Sequence, residues 1–569
     1  MKQFTSILMA VAVVIGLCLV GTTPVMAQTT LYVDDDGVCG GNAPCYTNIG
    51  AALAAANDGD TIIVFDGVYD EGQLDIDTGV TITSNSGPDN CLVKVDTYGF
   101  CIISDNVTID GLTFTASANP SATCIGLLRV GLSTTNTAHG ADNVVIQNNV
   151  FEYFVTSQDT ENHHAIAVGN SAPSSPLTNI TISNNTFNNL FADARVMSGI
   201  ALFDDSGGNA LPTGITITNN ELSNISGCPG NWAQGMSIGG DTVLIEGNTI
   251  HDIHSAPLDA GIVIHTPSTS ITCIDNEVYN SEIWGILIGE PVTSIKLTGN
   301  RIHDNGTGIH VLGSGDEVQV HLNNIYDNGT VTTGLANDGT PYVNAQNNWW
   351  GCVEGPGNPG CDTVTGNVNY EPWLGAPLSL PASHHEFLGP GTHTVDASQE
   401  ADTIVKLTIS DIASETDIYI AKYKVQPFPD EPFPGTALGK YIEIHASNPG
   451  AIIWPIRVKV IYTDAEVAAA GIDERALGLY YYEAEGSFHR CSSTGVDTAE
   501  NLIWADVTQE EAGYLVGTAF GTGSPPGPPV GGEAYPVDKF NILAPWITLA
   551  VLSASGLGWL KLKSRIFQS

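Results

Sequence analysis

The sequence predicts an all-β fold: a right-handed single-stranded parallel β-helix, then an antiparallel β-sandwich and a C-terminal transmembrane helix. Three observations predict it. An asparagine recurs between short apolar runs, settling to a period of about two dozen residues. A second series, Gly-apolar-x-apolar, keeps step with it. After "NYEPWL" (369–374) the repeat stops, and from about residue 392 alternating strands take over.

The elements follow in chain order. Lys2, the apolar run Ile7 to Val20 and the small-residue site Val25-Met26-Ala27 read as a secretory signal over 1–27. Removing it removes Cys18 and leaves ten cysteines in an oxidising compartment, where Cys39 with Cys45 and Cys352 with Cys361 are the expected local disulfides. No paired CxxC spacing favours a metal site for them.

The β-helix is expected over 28–380. The repeated asparagines are Asn149, Asn185, Asn220, Asn248, Asn276, Asn300, Asn323 and Asn347, spaced 36, 35, 28, 28, 24, 23 and 24 residues apart. Each is followed two places on by an apolar residue, from Phe151 and Phe187 to Ile325 and Trp349. The glycine series runs through "GIAL" (199), "GMSI" (235), "GIVI" (261), "GILI" (285) and "GIHV" (308). Each unit therefore holds three short strands, too β-branched and too alternating for helices. Coiled so that each strand pairs with its equivalent one turn on, they make a parallel β-helix. The asparagines are expected at the bend between the second and third strands, in an unusual backbone conformation that Asn tolerates, with their amides hydrogen-bonded along the column.

"LYVDDDGVCGGNAPC" with "NIGAALAAANDGDTIIVFDGVYDE", and later "NNWWG", "GPGNPGC" and "VTGNVNYEPWL", resemble the start and close of secreted β-helix proteins of the pectin-lyase-like superfamily, the NosD-like group (PbH1 repeats) especially. The resemblance covers residues 30 to 376; it implies the fold and leaves the chemistry open. "NIGAALAAA" independently reads as a short amphipathic helix capping the first open coil.

Residues 381–520 carry seven alternating strands, from "TIVKLTIS" to "YLVGTAF", as in a sandwich. A Pro/Gly linker follows over 521–538. Within 539–569, Asn541 to Leu560 is uncharged and long enough to span a bilayer, and Lys561, Lys563 and Arg565 act as a cytoplasmic stop. The expected location is the extracellular face of the membrane, single-pass.

With 61 Asp plus Glu against 18 Lys plus Arg, the net charge of -43 excludes nucleic acid as a partner. Enzymes of the resembled superfamily work on uronates in the groove outside the first strand, with carboxylates, with or without Ca2+, and a proton-moving Arg, Lys, His or Tyr. Here alternation turns Ala167, Ala201, Ser237, Val263, Leu287 and His310 into that groove, then Gly169, Phe203, Gly239, His265, Gly289 and Leu312: two histidines and no carboxylate. His163, His164, Asp204 and Asp205 are the catalytic candidates, in early insertions, with polar loop tips as the plain alternative. Three places after the asparagines, Tyr279, His303, Tyr326 and Trp350 are expected to face outward, as a ring platform for a glycan or as stacks that only stabilise the sheet. Asp34, Asp35 and Asp36 form a candidate Ca2+ site or an ordinary acidic turn.

The functional expectation is a tethered, non-catalytic surface protein whose β-helix binds a polysaccharide or a surface glycoprotein. The alternatives are a polysaccharide-active lyase, glycoside hydrolase or epimerase, and a NosD-like accessory in periplasmic metal delivery. The last fits poorly with a C-terminal anchor and few soft ligands on one face.

Overall fold

The computed structural model describes residues 28–525 apart from 117–125, 132–139, 157–161, 170–176, 193–195, 204–210, 229, 256, 290, 314, 316–317, 330–332, 398–404, 424, 428–432, 484–486 and 513–517. The expected signal segment and membrane anchor both lie outside these residues. Among the described residues no helix is long and apolar enough to cross a membrane.

Among the described residues, strands from Thr30–Val33 to Val368–Asn369 join in one 31-stranded sheet wound into successive coils, its pairings parallel and between equivalent strands of neighbouring coils. The inward file of the first strands shows the register: Ile200 pairs with Met236, then Ile262, Ile286 and Ile309, all fully buried. The third strands contribute a second file, Phe151, Phe187, Leu222, Ile250, Val278, Ile302 and Ile325, also fully buried. It begins with rings: Phe114, Phe151 and Phe187 stack at 5.3 and 4.9 Å. Each such aliphatic side chain contributes roughly 2 kcal/mol of burial. In two coils the first and second strands fuse into one, Ala233–Glu246 and Asp259–Ile274, and in the early coils a third strand runs on into the next first strand, in Gly67–Ile76 and Cys91–Ile102, so three separate strands per coil holds only elsewhere.

The asparagine column is a ladder. Asn276 donates both its backbone N–H and its side-chain Nδ2 to Asn300 Oδ1, at 2.9 and 3.0 Å, and Nδ2 also reaches the Ile245 carbonyl at 2.8 Å. The same pattern runs unbroken from Asn149 through Asn185, Asn220, Asn248, Asn276, Asn300 and Asn323.

Two expectations need correction here. The eighth rung is Asn348, not Asn347: Asn323 donates to Asn348 Oδ1 at 2.9 Å by both groups. And the left-handed residue is the one before each rung, namely Asn148, Asn184, Asn219, Gly247, Asp275, Gly299, Leu322 and Asn347, with φ between 53° and 70°. Asn is thus selected twice at adjacent positions for different reasons, once for its backbone tolerance and once for its amide.

A shorter ladder lies at the next bend, where Asn305 donates to Asn328 Oδ1 (3.1 Å) and Asn328 Nδ2 to Asp362 Oδ2 (2.8 Å). Burial pushes the Asp362 carboxyl up to about 6. A pKa raised above the unfolded value means that the folded state is most stable below the ordinary carboxylate range and loses stability as pH rises towards 6. Asp362→Asn, which ends the ladder with the neutral amide used in its other rungs, is therefore expected to raise stability at pH 7 by about 2 kcal/mol and to change little at pH 4. Denaturant unfolding at the two pH values checks it.

The coil is capped as expected: helix Ile49–Leu53 buries Ile49, Ala52 and Leu53, is N-capped by Asn48, and its first free N–H groups donate to Glu71. The chain joins Cys39 to Cys45 and Cys352 to Cys361, the two local pairs.

The second domain is a sandwich of a six-stranded and a five-stranded antiparallel sheet around one core, with Leu407 and Val458 facing Ile420 and Ile444. It starts at Leu378 and its last strand runs to Ser524, into the stretch expected to be spacer. The strands missed by sequence, Leu378–Leu388, Gly391–Asp396, Ser487–Arg490 and Thr494–Asp497, are the four sheet edges. An edge strand has one neighbour and carries more polar residues, so its alternation is weak.

The two domains are locked together. The Asn324 side chain pairs with the backbone of Leu378 by bonds of 2.8 and 2.9 Å. Leu322 packs with Leu374, Ala376, Leu378 and Tyr419. Lys296 Nζ meets Asp417 Oδ2 at 2.9 Å.

Candidate functional site

The first strands alternate, so fixing Ile200 and its file inside turns the intervening residues out. Ala167, Ala201, Ser237, Val263, Leu287 and His310 form one outward file in register, as expected. The structure extends it upstream: Asp75 pairs with Cys101, Cys101 with Arg129, and Arg129 with Ala167. The file therefore does contain a carboxylate, and a cation, that the expectation left out. The signal was present in "GFCI" (99–102), which matches the glycine series but lies before its first counted member.

A second outward file opens the same strands: His164, Ser198, Gln234, Ala260, Trp284 and Thr307. Ser198 Oγ donates to Gln234 Oε1 at 2.9 Å. Trp284 stacks on Trp232 at 5.6 Å, and the pair lies against Ala260, Val263 and Leu287. Both tryptophans are half-buried. His310 stands 5.9 Å from the Trp284 ring and holds Asp338 at 3.0 Å.

His163 and His164 are not on loop tips. They begin strand His163–Gly169 and are 0% and 8% exposed. Burial pushes His164 down to about 3, aided by the positive field of His163, Arg129 and His265, so it is neutral. Arg129 is itself only 2% exposed. Phe203, half-buried, lies 5.6 Å from the His164 ring. Asp204 and Asp205 lie outside the described residues.

The ring column of the third strands is a continuous stack. His251, Tyr279, His303 and Tyr326 follow at 4.7, 5.1 and 4.9 Å, within 11° of parallel. Their faces cover one another, so only edges remain for a ligand. Those edges are occupied: His303 contacts Asp304 (2.8 Å) and Glu277 (3.2 Å), and Arg301 bridges Glu277 (2.6 Å) and the Tyr326 hydroxyl (3.1 Å). The stack reads as a sheet-stabilising device. Trp350 does not belong to it. It is fully buried in the coil core, because the last rung is Asn348 and Trp350 takes the inward place two residues on.

Asp34, Asp35 and Asp36 do not converge. Asp34 accepts from Cys39 N (3.0 Å), Asp35 from Val68 N (3.0 Å) and Asp36 from Val38 N (2.8 Å), the arrangement of an acidic turn. Among the described residues the one grouping close enough to share a metal is Cys352, Glu354 and Cys361, and its two sulfurs are bonded to each other.

Residues 178–349 match the family model described as a right handed beta helix region. The fold expected from the pectin-lyase-like resemblance is the fold this part of the chain has. No curated protein matches the chain. Solved structures similar to it include the A-module of mannuronan C-5 epimerase AlgE4 of Azotobacter vinelandii, at 15% identity and TM-score 0.38, covering 60% of this chain and 97% of that one. The periplasmic alginate epimerase AlgG is another (14%, 0.33, 55% and 74%). Pectate lyase Pel9A is a third (14%, 0.32, 61% and 79%). Likenesses at this level carry no chemistry across.

Proposed function

We propose that the protein binds a glycan along the outer face of the first sheet and does not turn it over, with the apolar run 541–560 tethering it to the outer side of a membrane. The observation that supports this is the Trp232–Trp284 pair, half-buried against Ala260, Val263 and Leu287. Flat aromatic faces suit the C–H faces of sugar rings. His310, 5.9 Å from the Trp284 ring, and its partner Asp338 put hydrogen-bonding groups beside that pair for hydroxyls to meet.

A glycan-array screen of the protein, followed by titration of tryptophan fluorescence with any hit, tests it. Trp284→Ala and Trp232→Ala are each expected to weaken binding about tenfold or more, by loss of a stacking face of roughly 1–2 kcal/mol, with the fold intact. Unchanged affinity in both variants would sink the reading.

One observation favours a second reading as a polysaccharide-active enzyme. Asp75, Cys101 and Arg129 stand in file, and Arg129 acts electrostatically on His164 together with His163 and His265. Titratable groups gathered in one groove are a feature of active sites. New reducing ends, unsaturated products or C-5 inversion in the glycan, lost in Arg129→Ala, would establish turnover and displace the binding-only reading.

A further inference from the structure

The Trp232–Trp284 pair adjoins a groove of about 550 Å3 at the bend that leads from the third strand of one coil into the first strand of the next. Glu282, two residues before Trp284, belongs to its lining, so ring and groove are neighbours. The groove carries the carboxylates of Asp252, Glu282, Asp304 and Asp327, and no Lys or Arg stands among its described lining residues. Asp252, Asp304 and Asp327 repeat one bend position, at φ 56°, 55° and 56°, in coils stacked in register. The side chains of Glu282 and Asp304 are 50% and 55% exposed and Asp327 is exposed, so a ligand can reach them. Beyond the ring pair, Asp338 on His310 adds a carboxylate that is 69% exposed.

Cations to balance them are scarce. Between residues 28 and 380 the Lys and Arg are Lys94, Arg129, Arg195, Lys296 and Arg301, and Arg195 lies outside the described residues. Arg129 is 2% exposed. Lys296 is spent on Asp417 of the sandwich at 2.9 Å, and Arg301 on Glu277 at 2.6 Å. Lys94, paired in register with Asp70 and Thr115, sits about six coils from Trp284, roughly 29 Å away and beyond several screening lengths in physiological salt. A uronate or a sulfate laid on Trp284 would therefore meet like charge from the described residues around it, and a net charge of -43 repels it at long range. An ammonium group would meet opposite charge at both distances. The carboxylates alone would be an ordinary acidic surface; the rings beside them bring a sugar within their reach.

We infer that the glycan of the outer face is an amino-sugar polymer, a chain of glucosamine-type units with free ammonium groups; this rests on the outer-face binding reading and specifies its ligand. Rings of the chain lie on the Trp232–Trp284 pair, and neighbouring ammonium groups meet Glu282 and the carboxylates of the corner groove. One exposed carboxylate–ammonium contact changes affinity by a factor of only about two to five, so the preference comes from several acting together.

Isothermal titration with β-1,4-linked hexamers of glucosamine, N-acetylglucosamine and glucuronate, at about pH 6 and low salt, compares cationic, neutral and anionic chains. The glucosamine hexamer should bind about tenfold tighter than the acetylated one and lose most of that advantage in about 0.5 M salt, and the glucuronate hexamer should bind least. Hexalysine, a cation without sugar rings, should bind about tenfold more weakly than the glucosamine hexamer and ignore Trp284→Ala. Glu282→Gln combined with Asp327→Asn should cut glucosamine affinity about fivefold and leave the acetylated hexamer within about twofold, a split that a merely structural role would not give. Asn tolerates the left-handed backbone at 327, so the double variant keeps the bend. Equal affinity for the cationic and neutral hexamers, hexalysine binding as tightly as the glucosamine hexamer, or tighter binding of the glucuronate hexamer with or without added Ca2+ overturns the inference. If the acetylated hexamer binds without that preference and loses affinity in Trp284→Ala, the inference falls and the outer-face reading stands. If no hexamer responds to Trp232→Ala or Trp284→Ala, both fall.

Discussion

Asn276→Ala is expected to destabilise the β-helix by about 4 kcal/mol, more than a typical side-chain truncation. The substitution removes the acceptor of two donors at once, since Asn248 N and Nδ2 both point at Asn276 Oδ1, at 3.0 and 2.9 Å. It also strips a donor from the Ile245 carbonyl and from Asn300 Oδ1. These residues are at most 1% exposed, so water cannot substitute. Leaving a buried group unpaired costs about 1–3 kcal/mol each, and these groups belong to one network, so the sum is not simply additive. Denaturant unfolding followed by far-ultraviolet circular dichroism measures it. A loss below about 1 kcal/mol would mean that the ladder is incidental to stability.

Gly285→Ala is expected to cost about 3 kcal/mol for a different reason, overpacking. A Cβ there would stand 2.7 Å from the Gly308 carbonyl oxygen and 2.8 Å from Asn305 Nδ2, a rung of the second ladder. The same approach recurs along the column: a Cβ on Gly261 would lie 2.8 Å from the Gly285 carbonyl, and one on Gly308 would lie 2.6 Å from that of Gly334. Coils therefore stack closely enough at this corner that only glycine fits, which is the physical content of the Gly-apolar-x-apolar series. Gly289→Ala is the control. Its added Cβ would meet nothing closer than the Ile264 carbonyl at 3.4 Å, so its effect should stay within about 0.5 kcal/mol.

These two columns explain why the coil was legible from residues alone. Both report contacts between equivalent positions in neighbouring coils, so the constraint repeats with the coil and shows as a period. Where the constraint is not periodic the reading slipped. At "NNWW" both adjacent asparagines and both tryptophans satisfy the spacing, and only the hydrogen bonds show that Asn347 takes the left-handed backbone while Asn348 takes the rung. That one-residue slip sent Trp350 outward on paper and into the core in fact. The second ladder repeats too few times to stand out, although "HDNG" and "YDNG" mark Asn305 and Asn328.

The sites were less legible than the fold. Alternation placed Ala167, Ser237, Val263 and His310 on the outer face, because a strand has only two sides. It could not show that Trp232 folds back on Trp284, since Trp232 precedes its strand, Ala233–Glu246. A cavity between coil and sandwich joins Asn344 to His445, whose proximity comes from how two domains dock; no local pattern encodes that.

The most direct test of the account is oxidative footprinting of the protein with and without the glycan selected on the array. Binding across the outer face of the first sheet predicts protection of Trp232 and Trp284, with the sandwich residue Trp504 oxidised equally in both states. Protection of Trp504 with Trp232 and Trp284 unchanged would contradict it.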